Sequence, residues 1–454
     1  MFDKLIKDKK LVPLLKSSWS VSWPMSVIMF FVFLIGLTDV YVAGKISKET
    51  QAAYGISLQI YFIFTIIAAA LTVGAVSVVS QLFTSHKTKD FNIAVYSSLI
   101  SSVVAGILLS LITWVFSPAI IASFNLTPEL KSYALPLIRI YSAGILFSYF
   151  LMNSNGVLRA CGMIKNSLLT MAVVCILNIA LNFILAFKTR MGYQGIAAAT
   201  VISSVVGCLV NIVFLKKVVT GYYKFSWPIT KKILNIGWPA GVMQVLWQIA
   251  ALVLFLILSA LPKNNVELMA AFTNGLRIEA AIFLPAFAFN MAAAVIVGNL
   301  LGKVDKEEAF LAGLVTAILG VLVVTLLTLG VMLNARFISG LLSDNQIVVN
   351  ECVKYIYIAL LSEPIMAWSV ILAGGLNGAG DTKSVMLAVT FCVWILRVPL
   401  SYFFAVYFGF GAQAVWWAMN ISIVAQAVLI SQRYFSKKWF HCKHTDILSQ
   451  NCGG

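Results

Sequence analysis

Acidic and amide side chains interrupt the long apolar stretches of this sequence, and they are its first candidates for chemistry. Asp39 follows an almost unbroken apolar run from Val27 to Leu37. Asn178 and Asn182, in the stretch LNIALNFIL, stand four residues apart and therefore share one face of a helix. An ionised carboxylate at the centre of a membrane-spanning helix costs at least about 2.5 kcal/mol. A carboxylate kept there predicts ion binding or proton transfer, with the amide oxygens as further ligands.

Each of these residues also has a purely structural interpretation. Asp39 could lie at the membrane interface and pair with Lys45 or Lys48, although the apolar VYVAG segment after it favours a position a turn or more inside the helix. The two asparagines could serve only to hydrogen bond neighbouring helices, as amides in apolar bundles do. Thr200, in AAATVIS, is either an ordinary packing residue or an additional oxygen ligand.

The second half of the chain offers a further set of charged residues within apolar sequence. Glu279 stands two residues after Arg277, so the two side chains point away from each other on a helix, and Glu279 needs another partner or a wet cavity. Glu363 precedes Pro364, which frees a backbone carbonyl and permits a kink. Arg397, in WILRVPL, is a candidate to neutralise one of these acids.

The composition indicates a polytopic membrane protein. Of 454 residues, 61% are hydrophobic and 11% charged, with a mean hydropathy of +0.96, whereas soluble domains average about 25% charged residues. The net charge of +16 suits basic loops that face an anionic membrane leaflet, so no nucleic-acid partner is expected. The seven cysteines form no CxxC pair. The sequence contains no HExxH, GxSxG or P-loop motif, so neither an enzyme nor a cofactor is expected.

Apolar segments long enough to cross a bilayer recur along the whole chain. Lys and Arg are concentrated at both termini and in the even-numbered loops, which predicts that both termini are cytoplasmic and that the number of spans is even. The twelve predicted spans are 15–38, 53–82, 93–117, 133–154, 166–187, 194–215, 233–261, 268–299, 308–333, 353–374, 385–407 and 411–432.

The two halves of the sequence resemble each other. GVLRACGMIK at 156–165 aligns with GGLNGAGDTK at 374–383, and WP at 23–24 recurs at 238–239. Six helices return the chain to its starting side, so we expect two six-helix lobes related by a pseudo-twofold axis along the membrane normal. The predicted regions are a cytoplasmic segment 1–12, an N-lobe 13–215, a cytoplasmic linker 216–232, a C-lobe 233–433 and a cytoplasmic tail 434–454.

The glycine-rich segment of the second copy also carries an acid, Asp381 in GAGDTK. This pattern predicts a helix-ending turn in which Asp381 caps the next helix. The matching residue of the first copy is Met163, so symmetry requires no charge at this position.

The motifs together resemble those of the multidrug and toxic compound extrusion (MATE) family, near its DinF-like branch. The resemblance covers about residues 13 to 435 and is carried by LTDVYVAGKI, GVLRACGMIKNSLL, LNIALNFIL, FLPAFAFNMAAAVIVGNLLG and GGLNGAGDTKS. It implies efflux of organic cations or amphiphiles in exchange for H⁺ or Na⁺, by alternating access, from a monomer in a plasma membrane, most simply a bacterial inner membrane. The superfamily also contains flippases for lipid-linked glycans, which are the alternative function.

The same resemblance assigns roles to individual residues. Asp39 resembles the ion-coupling carboxylate of the family's first helix, and Asn178, Asn182 and Thr200 would complete an oxygen cage that is a possible Na⁺ site. The family often carries an acid where this chain has Asn182, and that departure removes one negative charge from the site. Glu279, Glu363 and Arg397 are secondary candidates, and Tyr41, Tyr141 and Tyr149 are candidates for the substrate cavity, where an aromatic face can hold a cation.

The topology can be tested at the linker. A protease site inserted in the middle of 216–232 should be cut only from the cytoplasmic side, because this basic loop follows the sixth span. Cleavage in sealed vesicles of known orientation measures this, and cleavage from the outer side would contradict the topology.

Overall fold

The computed structural model of the chain describes residues 11–85, 87–219, 221, 223–262 and 264–441. The predicted tail beyond residue 441 and most of the N-terminal segment lie outside the described residues. Within them, twelve helices are long and apolar enough to cross a membrane, which confirms the all-α class and the number of spans. They are α1 Leu11–Ile46, α2 Lys48–Thr84, α3 Thr88–Ser123, α4 Pro128–Ala160, α5 Ile164–Phe187, α6 Gln194–Leu215, α7 Trp227–Ser259, α8 Asn265–Gly302, α9 Lys306–Leu333, α10 Gln346–Ala379, α11 Thr382–Tyr407 and α12 Ala412–Phe435.

Local sequence fixes several helix starts. Ser47 alone separates α1 from α2, and its side chain accepts a hydrogen bond from the backbone N–H of Thr50. Thr127 caps α4 in the same way, immediately before Pro128, and Asp305 caps α9. Such side chains satisfy backbone donors that have no partner within the helix.

Two helices of the second half depart from regular α geometry. Helix α10 contains a single 3₁₀ turn at Leu360–Ser362, immediately before Glu363 and Pro364. Helix α11 contains two π-helical segments, Cys392–Arg397 and Phe403–Tyr407. Such π segments often accompany functional sites, and the first of them ends at one of the candidate residues.

The repeated glycine-rich segments form matching turns. Gly162 and Gly380 both adopt positive φ angles, +74° and +88°. In each turn the N–H of the next residue donates to the carbonyl five positions earlier, at 2.9 Å. This is the hydrogen bond of a Schellman motif, and it needs glycine at the left-handed position.

The prediction that Asp381 caps α11 is wrong. Its carboxylate makes no capping hydrogen bond; it accepts from Ser384 Oγ and from Arg433 Nε, each at 2.6 Å. A charged donor on α12 provides a stronger partner than a backbone N–H. Asp381 therefore ties the start of α11 to the end of α12.

The chain divides into two compact units. The N-unit comprises 27–241 with 302–304, and the C-unit comprises 11–26, 242–301 and 305–441 of the described residues. The boundaries fall inside α1 and α7, next to Pro24 and Pro239. The lobe limits 13–215 and 233–433 stay a prediction.

Helix α10 approaches α8 closely inside the C-unit through two glycines. A Cβ atom on Gly374 would lie 2.2 Å from the backbone oxygen of Asn290, and one on Gly378 would lie 2.1 Å from that of Ala294. Small residues allow backbones to pack this tightly, which is a main source of helix association in a membrane.

Replacing Gly374 with alanine should therefore destabilise the protein, because the two backbones must separate. Gly330→Ala is the matched control, since Gly330 also lies within a helix but a Cβ atom added to it would have no neighbour within 4 Å. We expect a lower Tm in detergent for Gly374→Ala only. Equal melting temperatures for the two variants would contradict the close-packing interpretation.

Candidate ion site

Asp39 lies inside α1, about two turns before its end, and only 4% of its surface is exposed. Neither of the nearby lysines pairs with it. Lys45 lies over the Tyr41 ring, 5.5 Å from its centroid, and Lys48 lies 3.9 Å from Glu49. Among the described residues, no lysine or arginine nitrogen comes within 4.0 Å of the Asp39 carboxylate. The geometry therefore favours the buried position over the interfacial one.

Three neutral side chains from three other helices donate to this carboxylate. Asn182 Nδ2, on α5, donates to Oδ1 at 2.6 Å. Tyr54 Oη, on α2, and Thr200 Oγ1, on α6, donate to Oδ2 at 3.3 and 3.4 Å. Hydrogen bonds replace part of the hydration that burial removes. The carboxylate is thus satisfied by dipoles rather than by a positive charge.

The amide groups continue this network. Asn182 Nδ2 also donates to Asn178 Oδ1 at 3.0 Å, and Asn178 Nδ2 donates to Thr200 Oγ1 at 3.3 Å. The buried Oδ1 of Asn182 has no hydrogen-bond partner. The four residues taken from the motifs, Asp39, Asn178, Asn182 and Thr200, therefore form one cluster in the N-unit.

The donor set of this cluster fits a hard cation. It combines a carboxylate, two amide oxygens and a hydroxyl, and hard cations prefer oxygen ligands of these kinds. Because Asn182 Oδ1 accepts no hydrogen bond, it could serve as a ligand of such an ion. The same carboxylate can bind a proton, so the cluster suits either H⁺ or Na⁺.

Of the three candidate tyrosines for the substrate cavity, the structure brings one to the cluster. Tyr141 is buried in the same core cluster as Tyr54, and its hydroxyl has no hydrogen-bond partner among the described residues. Tyr149 is buried farther along α4 and donates to the backbone oxygen of Phe64 at 2.6 Å. Tyr41 is 53% exposed, away from the cluster.

Sequence reasoning missed Tyr54, which is a direct partner of Asp39. Its signal was present in the periodicity of α2, where Tyr54, Ser57 and Tyr61 recur at helical spacing in otherwise apolar sequence. Ser57 lies on the same buried face as Tyr54. A polar stripe of this kind is a guide to the inner face of a spanning helix.

The candidate residues of the second half lie together in the C-unit. Tyr355 on α10 donates to Glu279 Oε1 at 2.5 Å, which supplies the partner that Glu279 requires. Glu363 is only 3% exposed, and its carboxylate makes no hydrogen bond and no ion pair within 4.0 Å among the described residues. The residues of this cluster differ in charge from those of the Asp39 cluster. Glu279 and Glu363 are accompanied by the cation Arg397, whereas Asp39 has only neutral partners.

Arg397 supplies that cation without directly pairing with either acid. Its Nε donates to Ser422 Oγ at 2.8 Å, and its guanidinium lies 4.8 Å from the Trp247 ring centroid. No guanidinium nitrogen of Arg397 lies within 4.0 Å of a carboxylate oxygen among the described residues, and the buried Nη2 has no partner. Arg397 therefore does not neutralise Glu279 or Glu363 by direct contact, and its charge can act on them only over a longer distance.

Curated relatives align with nearly the whole chain. A probable multidrug resistance protein NorM from Thermotoga maritima is 24% identical over 425 residues, which cover 89% of both chains. The multidrug resistance protein NorM of Burkholderia vietnamiensis is 25% identical over 451 residues, covering 94% of this chain and 93% of the relative. An uncharacterised transporter, YisQ of Bacillus subtilis, is 21% identical, covering 93% and 94%.

Solved structures match the fold. A MOP superfamily transporter from Pyrococcus furiosus, described as having a binding pocket of reverse polarity, superposes with a TM-score of 0.87 at 22% identity, covering 94% of this chain and 97% of that one. The outward-facing conformation of a multidrug resistance MATE family transporter gives the same values. The family model MatE matches residues 24–184 and 239–403, which together make up most of the sequence. The chain belongs to the MATE family of integral membrane transporters.

Proposed function

We propose that this transporter is a secondary active exporter that exchanges organic cations or amphiphiles for H⁺ or Na⁺ by alternating access. The family and the multidrug resistance names of the relatives support export of small molecules. The observation that carries ion coupling is the buried Asp39 carboxylate, which has three neutral donors and no cationic partner among the described residues. Because no positive charge cancels it, the negative charge of Asp39 is available to an incoming cation.

Binding of either ion requires the cluster to rearrange. A proton on Oδ2 would meet two hydroxyls that already point toward that oxygen, so Tyr54 or Thr200 would have to turn and accept. Sodium would meet the N–H of Asn182, so the side-chain amide would have to turn and present Oδ1 instead. In both cases the contacts between α1 and its neighbours change.

The cluster of Glu279, Glu363 and Arg397 is a second candidate for binding the coupling ion. Glu279, Glu363 and Arg397 carry two negative charges and one positive charge when all are ionised, so the cluster can take up one cation before it becomes neutral. Asp39 remains the first candidate, because its hydrogen-bond network includes each of the oxygen ligands that the motifs predict.

A flippase for a lipid-linked glycan is the second candidate. The buried arginines Arg159 and Arg397 favour it, since each could meet a phosphate, and Arg159 makes no ion pair with the described residues. A phosphate-binding cavity would need several basic residues in each unit. The small number of such residues therefore supports the exporter.

The Lys and Arg residues of the chain bear on its orientation in the membrane. We place it in a bacterial inner membrane as a monomer, with both termini in the cytoplasm. The asymmetric distribution of Lys and Arg supports this orientation.

The Asp39→Asn substitution should abolish gradient-driven efflux, because an amide cannot gain or lose a proton and carries no charge for Na⁺. The measurement is uptake of ethidium, a fluorescent organic cation, by proteoliposomes under an imposed H⁺ or Na⁺ gradient. Asp344→Asn, at an exposed loop position, is the matched control and should transport normally. Wild-type transport by the folded Asp39→Asn variant would show that the coupling carboxylate lies elsewhere.

Equilibrium binding should also reveal the exchange. Antiport requires that ion and cargo disfavour each other, and this coupling is reciprocal. Ethidium should bind more weakly to the purified protein as the pH falls or, if sodium is the coupling ion, as Na⁺ is added at fixed pH. The expected change is roughly 5- to 150-fold. A response to neither ion, or an equal response in Asp39→Asn, would exclude exchange at Asp39.

A further inference from the structure

An apolar groove runs along the surface of the C-unit between α10 and α12. Its volume is about 440 Å³, which lies within the usual range of about 300–1,000 Å³ for ligand sites. The apolar part of its lining consists of Ile365 and Trp368 on α10 and of Val424, Ala427, Val428 and Phe435 on α12. Four of these side chains are between 38% and 49% exposed, so the groove is open at the surface.

The length of the groove fits one hydrocarbon chain in one leaflet of a bilayer. Val424 and Phe435 stand eleven residues apart, which is a rise of about 16 Å along a helix. The hydrocarbon core of a bilayer is about 30 Å thick, so each leaflet accounts for about 15 Å. Val424, Val428 and Phe435 also recur at helical spacing and share one face of α12. An extended acyl chain therefore fits along this face over the depth of a leaflet.

The groove becomes polar near the end of α12, where Ser431 and Gln432 line it. Ser431 Oγ accepts a hydrogen bond from Trp368 Nε1 at 2.9 Å, so this pair needs no partner from a ligand. Gln432 is exposed. Lys438, three residues after Phe435, is also exposed and forms no ion pair within 4.0 Å among the described residues. An amide and an ammonium group at this end suit the phosphate of a lipid head group.

We propose that this groove binds a phospholipid, with one acyl chain between α10 and α12 and the phosphate beside Gln432 and Lys438. An apolar length followed by a polar and basic end matches the structure of a lipid, and an integral membrane transporter has lipid on its surface. Under the proposed orientation α12 runs from the outer side inward, so the lipid belongs to the cytoplasmic leaflet. The site is independent of the ion and the cargo that the transporter exchanges.

The bound lipid contacts the part of α10 that follows its irregular turn. Ile365 comes three residues after the 3₁₀ segment Leu360–Ser362, and Trp368 lies about one helical turn farther along. An acyl chain against these two side chains adds dispersion contacts to both helices. Because a ligand that binds the folded state stabilises it, added phospholipid should raise the Tm of the lipid-free protein.

The Val428→Trp substitution tests the groove, because the larger side chain occupies space along the α12 face. The full-length protein is delipidated in detergent and titrated with phosphatidylglycerol, and bound lipid is counted by native mass spectrometry. We expect one tightly bound lipid on the wild-type protein and an affinity lower by about tenfold or more in the variant. Displacing two methylene groups from an apolar site is enough for a change of this size.

Ile365→Trp fills the groove from the opposite wall and should have the same effect. Leu387→Trp is the matched control, since Leu387 is 64% exposed on α11 and does not line the groove. Its lipid affinity should equal that of the wild type. The rise in Tm on adding lipid should follow the same order, and the Tm without lipid shows whether each variant is folded.

Diacylglycerol tests the polar end, because it carries the same acyl chains without a phosphate. It should bind the wild-type protein about tenfold more weakly than phosphatidylglycerol does. Lys438→Ala should reduce this difference, since it removes a positive charge that attracts the phosphate.

Three results would overturn the proposal. One is an unchanged lipid affinity in both Val428→Trp and Ile365→Trp, and another is an equal loss of affinity in Leu387→Trp. The third is a lipid-free dimer that Val428→Trp dissociates, which would assign the groove to a second copy of the chain. Equal binding of diacylglycerol and phosphatidylglycerol would overturn the placement of the phosphate.

Discussion

A carboxylate buried inside a bundle of helices has no bulk water to solvate it, and the N-unit meets that constraint at Asp39. The charge on α1 is satisfied by Tyr54, Asn182 and Thr200, which lie on α2, α5 and α6. Each donor is neutral, so the site provides hydrogen bonds without cancelling the charge. A lysine or arginine in contact would stabilise the carboxylate more strongly and would also remove its attraction for an incoming cation.

The C-unit meets the same constraint differently. Its two acids share the unit with Arg397, yet the guanidinium binds Ser422 and the Trp247 face rather than either carboxylate. Glu279 depends on a single strong donor, Tyr355. Because opposite charges are present without direct contact, small movements of α11 would change their interaction considerably. The π-helical segment that ends at Arg397 is an irregular part of that helix.

Local pattern predicts the spans and the repeat and marks Asp39, Asn178 and Asn182 as candidates, while the resemblance to the family adds Thr200 and groups the four residues in one site. Long apolar runs define helices in any membrane protein, and the four-residue spacing of Asn178 and Asn182 fixes their common face. The polar stripe of Tyr54, Ser57 and Tyr61 marks the inner face of α2, but a stripe on one helix does not say which residue on another helix it contacts. The contact between Tyr54 and Asp39 was missed for this reason. Asp381 was misassigned as a cap because its true partner, Arg433, lies far along the chain and meets it only when α12 packs beside α11.

The hydrogen bonds around Asp39 also connect charge to helix packing. The same groups that stabilise the carboxylate link α2, α5 and α6 to α1. In the proposed alternating-access cycle, neutralising the charge would therefore change the relative free energies of two arrangements of these helices. An ion can shift such an equilibrium only by the difference in its affinity for the two arrangements. In the proposed exchange, donors that must turn to become acceptors, such as the Tyr54 and Thr200 hydroxyls, would provide that difference. Coupling proposed for this unit would then follow from the donor geometry of the site.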